Sequence, residues 1–196
     1  MKIFKKILAI VLILLAIFIV ISLFLPSDIK VERSLIINAP AYIVFQQVNN
    51  FKNWEKWSPW FKMDTIMEKK YSGSESGNGS KINWHSNNKN VGSGSMIITN
   101  SYEPDSILID MNFMQNGIAK TKFCFKNEIA GTKIIWTMNS YIAQNPISKY
   151  FGLFIDKMLG ADIEDGLASL KKICESFPKT QKYEIGLTSK EYYPVK

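Results

Sequence analysis

The chain has 196 residues, 46% of them apolar and 21% charged, which suits one globular domain with a short appendage and excludes two full domains or wholesale disorder. The formal net charge is +7, but Lys2, Lys5 and Lys6 precede an apolar N-terminus and the other basic residues are scattered, so the basic stripe that a nucleic-acid partner requires is missing. Two cysteines, Cys124 and Cys174, and one histidine, His85, give no CxxC pair and no Cys/His ligand spacing; no metal site and no disulfide framework are expected.

The first element is apolar. Ile7 to Leu25 is a run of 19 residues interrupted only by Ser22. As a helix it is about 28 Å long, close to the ~30 Å hydrocarbon core of a bilayer. Pro26 stops it, and Ser27 and Asp28 begin a polar stretch. A cleaved signal peptide would share the basic start, but this run exceeds a usual h-region and no A-x-A-like site follows; Leu23 and Leu25 stand where small residues are needed. Residues 1–26 are therefore read as a single-pass membrane anchor. Lys2, Lys5 and Lys6 on one side, against Lys30 and Arg33 on the other, favour a cytoplasmic N-terminus and an extracytoplasmic domain.

Residues 27–178 carry the domain. Ile29 to Asn38 reads as a strand ending at Ala39–Pro40. Pro40 suits the first turn of a helix over Ala41 to Val48. A second short helix covers Phe51 to Trp57 before Ser58–Pro59 breaks it. Six strand candidates follow: Thr65–Tyr71, Ser80–Ser86, Gly94–Tyr102, Ser106–Met114, Ile118–Glu128 and Thr132–Ile142. They are separated by turn residues at 72–80, 87–92, Pro104–Asp105, Asn116–Gly117 and Ala130–Gly131. Ile147 to Phe177 reads as one long helix closed by Pro178, and residues 179–196 as a tail. Successive hairpins imply an antiparallel sheet.

Period-two alternation shows which face is dry. Ile107, Ile109, Met111 and Phe113 share a face; so do Ala119, Thr121, Phe123 and Phe125, and Ile134, Trp136 and Met138. The long helix offers a complementary stripe: Phe151, Ile155, Leu159, Ile163, Leu167, Leu170, Ile173 and Cys174. Cys124 falls on the wet face and Cys174 on the stripe, so a bond between them is not expected.

VERSLIINAPAYIVFQQVNNFKNWEKWSPW (31–60), GTKIIWTMNS (131–140) and IEDGLASLK (163–171) together resemble the START/SRPBCC superfamily, in its polyketide cyclase/dehydrase-like branch. The resemblance covers roughly residues 30–177. It implies an α+β helix-grip fold: a seven-stranded antiparallel sheet wrapped around a long C-terminal helix, with two short helices after the first strand and a cavity between sheet and helix. It implies binding of lipids, sterols, polyketides or other apolar molecules, and in a few members cyclisation or dehydration. No universal catalytic motif exists to carry over, and no cofactor is implied.

His85 falls on the wet face with Lys81 and Asn83, out of reach of a pocket. Asp162, Glu164 and Asp165 read first as a solvated helix face, with Asp162 nearest the stripe. Trp54, Trp57 and Trp60 read as core or as the rim of a pocket. The Gly/Ser loops lack the strand–loop–helix context and lysine of a phosphate cradle. Gly152, Gly160 and Gly166 would thin the long helix over a cavity or mark a bend.

The cavity-lining candidates are Trp57, Trp60, Met96, Ile98, Met111, Phe113, Phe123, Phe125, Trp136, Met138, Ile155 and Leu159. The reading favoured is membrane-anchored binding or transport of an apolar, lipid-like small molecule. An enzyme of the cyclase/dehydrase or hydrolase type would need polar groups in the same cavity, drawn from Asn100, Tyr102, Thr121, Asp162 and Glu164. A structural or interaction protein would fill the cavity with its own side chains.

Overall fold

Alternating apolar residues joined by tight turns produce a single antiparallel sheet in the computed structural model, which describes residues 2–114, 117–141 and 145–177. Its seven strands are β1 (Asp28–Ile37), β2 (Glu68–Ser72), β3 (Lys81–His85), β4 (Ser93–Tyr102), β5 (Ser106–Asn112), β6 (Ile118–Glu128) and β7 (Gly131–Tyr141), in the spatial order β1-β7-β6-β5-β4-β3-β2. The helices are α1 (Lys2–Phe24), α2 (Ala41–Asn49), α3 (Trp54–Trp57), α4 (Pro59–Met63) and α5 (Pro146–Ser176), with a 3-10 turn at Phe51–Asn53. This is the expected α+β helix-grip architecture. Pro59 breaks the second short helix as expected, but it then opens α4 at its first turn, where its missing N–H costs nothing. The expected turn residue Asn116, the strand end at Ile142, the helix stop at Pro178 and the tail at 179–196 lie outside the described residues.

The dry face is the one that the alternation marked. Ile107, Ile109, Met111, Ala119, Phe123, Ile134, Trp136 and Met138 are all buried. One strand departs from simple alternation. A bulge at Thr99 shifts the register between Ile98 and Asn100, so Asn100 and Tyr102 turn to the outer surface, where the Asn100 amide donates to the Tyr102 hydroxyl.

Helix α5 closes the grip along the edge strand β1. Arg33 of β1 reaches α5 at mid-length, donating to Glu164 at 2.6 Å and Asp156 at 3.0 Å. Further along, Lys171 donates to the Ile36 carbonyl and Glu175 accepts from the Asn38 N–H, both at 2.8 Å. These contacts occupy backbone groups that an edge strand would otherwise leave open.

Gly160 and Gly166 of α5 serve close approach, not a cavity. A Cβ at Gly160 would lie 2.0 Å from an Arg33 guanidinium nitrogen, and one at Gly166 would meet Pro59 and Trp136 at 3.0 Å. The apolar stripe of α5 is covered only in its second half. Ile163, Leu167, Leu170 and Cys174 are buried, whereas Phe151 is 56% exposed and Ile155 and Leu159 are half-buried.

Candidate functional site

The interior of the grip is occupied by aromatic rings. Trp54 and Trp57 of α3 pack at 4.6 Å, Phe123 and Trp136 of the sheet at 4.8 Å, and the two pairs meet edge to face. The indole N–H groups of Trp54 and Trp57 donate to the Val48 and Gln47 carbonyls at the end of α2. Those bonds hold the rings in place and let them be buried without an unmet donor.

Two recesses flank this cluster. One, of about 150 Å³, lies toward β3 and β4 and is lined by Trp54, Ser58, Trp60, Phe61, Met67, Trp84, Met96, Met111 and Phe113, with Lys89, Asn90 and Val91 of the β3–β4 loop at its edge. The other, of about 290 Å³, lies under the first half of α5 and is lined by Trp60, Phe113, Ile118, Ala119, Met138, Ser140, Phe151, Ile155, Met158, Leu159 and Asp162. Trp60 and Phe113 line both. Trp84 can lie flat as a wall because its register partner is Gly94; a Cβ there would sit 2.5 Å from the indole.

Of the twelve lining candidates, Trp60, Met96, Met111, Phe113, Met138, Ile155 and Leu159 border one recess or both. Trp57, Ile98, Phe123, Phe125 and Trp136 border neither and are packed in the core. Among the polar candidates, only Asp162 lines a recess. Thr121 is buried and its hydroxyl donates to the Met111 sulfur at 3.1 Å. Asn100 and Tyr102 face outward, and Glu164 is held by Arg33. His85 is exposed and hydrogen-bonds Ser93 on the outer face.

The sequence reading missed Ser58, Met67 and the 89–91 loop. Ser58 is fully buried, lines the smaller recess, and its Oγ has no hydrogen-bond partner. A buried hydroxyl left unsatisfied costs on the order of 1–3 kcal/mol. Its place between two tryptophans and a proline was the only available signal.

The electrostatics are mild. Partial burial in the groove, with Asp165 close by, pushes the Asp162 carboxyl above its ordinary value. The Arg33 guanidinium holds Asp156 below it. Burial pushes the Cys174 thiol up to about 12, which leaves it protonated and inert. Among the described residues no cluster of three or more His, Cys, Asp or Glu side chains could hold a metal ion.

A grip of sheet and helix around apolar recesses, with few polar groups converging on them, defines a class of hydrophobic small-molecule binding folds. The sequence pattern of the polyketide cyclase / dehydrase and lipid transport family matches residues 28–175, and the chain belongs to that family. A comparison with curated proteins finds no match.

Solved structures share the fold at low identity. A protein of unknown function from Staphylococcus aureus superposes with a TM-score of 0.61 at 11% identity, covering 76% of this chain and 94% of that one. The di-domain ARO/CYC StfQ of the steffimycin biosynthetic pathway has the same TM-score at 9% identity, covering 76% of this chain and 52% of StfQ. The Aha1 dimer from Colwellia psychrerythraea has a TM-score of 0.52 at 15% identity, covering 78% of this chain and 99% of that one.

Proposed function

We propose that the protein is tethered to a membrane by α1 and binds or carries a lipid-like molecule in the recesses under α5 and beside β3 and β4. The observation that carries this reading is the pair of apolar recesses that share Trp60 and Phe113 as lining residues. Each alone is smaller than a typical ligand pocket of ~300–1,000 Å³; joined, they reach its lower end. Displacing a flexible methionine such as Met96, Met111 or Met138 would enlarge them at low cost. The family's description includes lipid transport. The free energy of binding comes from burial, at roughly 25 cal/mol per Å² of apolar surface. The unpartnered Ser58 hydroxyl suits one hydroxyl or carbonyl group on the ligand.

Helix α1 is long and apolar enough to cross a membrane. Its three N-terminal lysines support a cytoplasmic N-terminus and an extracytoplasmic domain. An enzyme of the cyclase or dehydrase type is the second reading, and Asp162 is the observation that favours it: it is a carboxyl with a raised pKa in the groove wall.

The test is extraction of the full chain in mild detergent, followed by mass-spectrometric identification of co-purifying molecules and titration with a fluorescent fatty-acid analogue. A bound apolar molecule near one per chain is expected. Ala119→Phe, which places a ring in the groove, is expected to cut occupancy roughly ten-fold or more, at an overpacking cost of about 1–3 kcal/mol in stability. A chain that purifies empty and takes up no analogue overturns the binding reading.

A further inference from the structure

The first half of α5 carries apolar residues that the fold leaves uncovered. Ile147, Phe151, Phe154 and Met158 follow one another at steps of four, three and four, which places them on one face. Their exposures are 76, 56, 61 and 59%. Phe151 and Met158 also line the groove, so the outer stripe runs continuously into its mouth. A contiguous patch of this kind marks an interaction surface.

The structure also shows what lies beside it. Tyr150 stacks on Phe18 of α1 with ring centroids 4.3 Å apart and planes 12° apart, and its hydroxyl donates to the Phe18 carbonyl at 3.1 Å. One turn on, Ser22 is buried, whereas the apolar side chains of α1 are exposed. Phe18 lies seven residues before Leu25, the end of the apolar run. At 1.5 Å per residue that is about 10 Å along the helix. If α1 crosses a bilayer, the first turns of α5 lie at a depth typical of interfacial helices, which bury their apolar face ~5–10 Å into the headgroup and acyl boundary.

The sheet register agrees. Asp28 pairs with Tyr141 and Asn112 with Ile118, so the start of β1, the end of β7 and the β5–β6 turn share one end of the sheet, from which α5 departs. Exposed Met114, Ile118 and Tyr141 belong to that end as well.

We propose that the N-terminal half of α5 is a second membrane-contacting element, dipping its outer stripe into the bilayer that α1 crosses and opening the groove directly onto lipid. The inference rests on the anchoring reading and names the source of the ligand: acyl chains move between bilayer and groove without crossing water. Phe151 and Met158, exposed to lipid on one side and bordering the groove on the other, form the threshold.

The full chain, with Cys124→Ser to remove its half-exposed thiol, is reconstituted in phosphatidylcholine–phosphatidylglycerol vesicles. An environment-sensitive fluorophore is attached in turn at Phe154→Cys, Met158→Cys, Ile13→Cys within α1, and Ile129→Cys at the far end of the sheet. Lipids carrying a nitroxide on the acyl chain serve as quencher. Quenching at positions 13, 154 and 158, with none at 129, is the expected result. Quenching at 13 without 154 and 158 overturns the inference while the anchor stands. No quenching at 13 removes the anchor and the inference with it. Blue-shifted emission at 154 that the lipid quencher does not reach shows the stripe covered by protein, a second copy above all, and also overturns it.

Discussion

At Asp162 a carboxyl group stands where the groove wall replaces part of its water, and burial first, then the charge of Asp165, raises its pKa on folding. The native state therefore binds this proton more tightly than the unfolded chain does. Its contribution is fully favourable below the unfolded value of about 3.9 and declines as pH rises through the folded value. Asp162→Asn is expected to raise the melting temperature at pH 7, with the gain vanishing below about pH 4. Equal gains at both values would show that the charge is not the cause.

Gly160 poses a different test. Alanine is worth about 1 kcal/mol over glycine in a helix interior, but here its Cβ would displace the Arg33 guanidinium from Asp156 and Glu164. Gly160→Ala should gain that full amount only in the Arg33→Ala background and markedly less in the native one. Thermal melts of the four proteins close the cycle, and equal gains in both backgrounds would refute the close-approach account.

Among the elements, the strands were the most legible in the sequence. In β5, β6 and β7 strict alternation over seven or more residues marked the buried face, and it placed both ends of β6. The expected end of β5 at Met114 overshoots Asn112, and the expected start of β7 at Thr132 falls one residue late. The resemblance supplied the sheet and helix arrangement. What escaped depends on non-local geometry. The bulge at Thr99 inserts one residue into β4, and it put Asn100 and Tyr102 on the opposite face from the one alternation assigns. Whether Trp57, Phe123 and Trp136 line a cavity or fill it depends on the distance between α3 and the sheet, which no local pattern encodes. Seven of the twelve lining candidates border a recess, Trp60 among them although it packs edge to face on Trp136. For α5, the helical spacing puts the groove-facing residues on one stripe with the core residues, and it marks a second stripe at Ile147, Phe154 and Met158 that core packing does not explain. An apolar helix face signals burial without saying whether protein or lipid does the burying.

The whole molecule is polarised. Among the described residues, ten of the large exposed apolar side chains outside α1 (Met63, Ile66, Met114, Ile118, Tyr141, Ile147, Phe151, Leu153, Phe154 and Met158) gather at the groove end of the sheet; Ile36, Tyr102 and Ile129 lie elsewhere. Helix α1 adjoins the first group through Phe18, which stacks on Tyr150, and among the described residues it contributes no side chain to the hydrophobic core. Folding and the proposed membrane contact are thus assigned to different surfaces. The chain lacking residues 1–26 is expected to fold and to melt within about 4 °C of the full chain, because the burial that stabilises a domain of this size is retained. It is also expected to self-associate in the absence of detergent, since the α5 stripe then meets water. Phe154→Asp in the same shortened chain should restore the monomer without changing the melt, because the residue is exposed in the fold. Light scattering and thermal unfolding separate the outcomes. Loss of the cooperative melt would make α1 part of the folding unit, and a monomer that stays dispersed with Phe154 intact would remove the stripe as a driving surface.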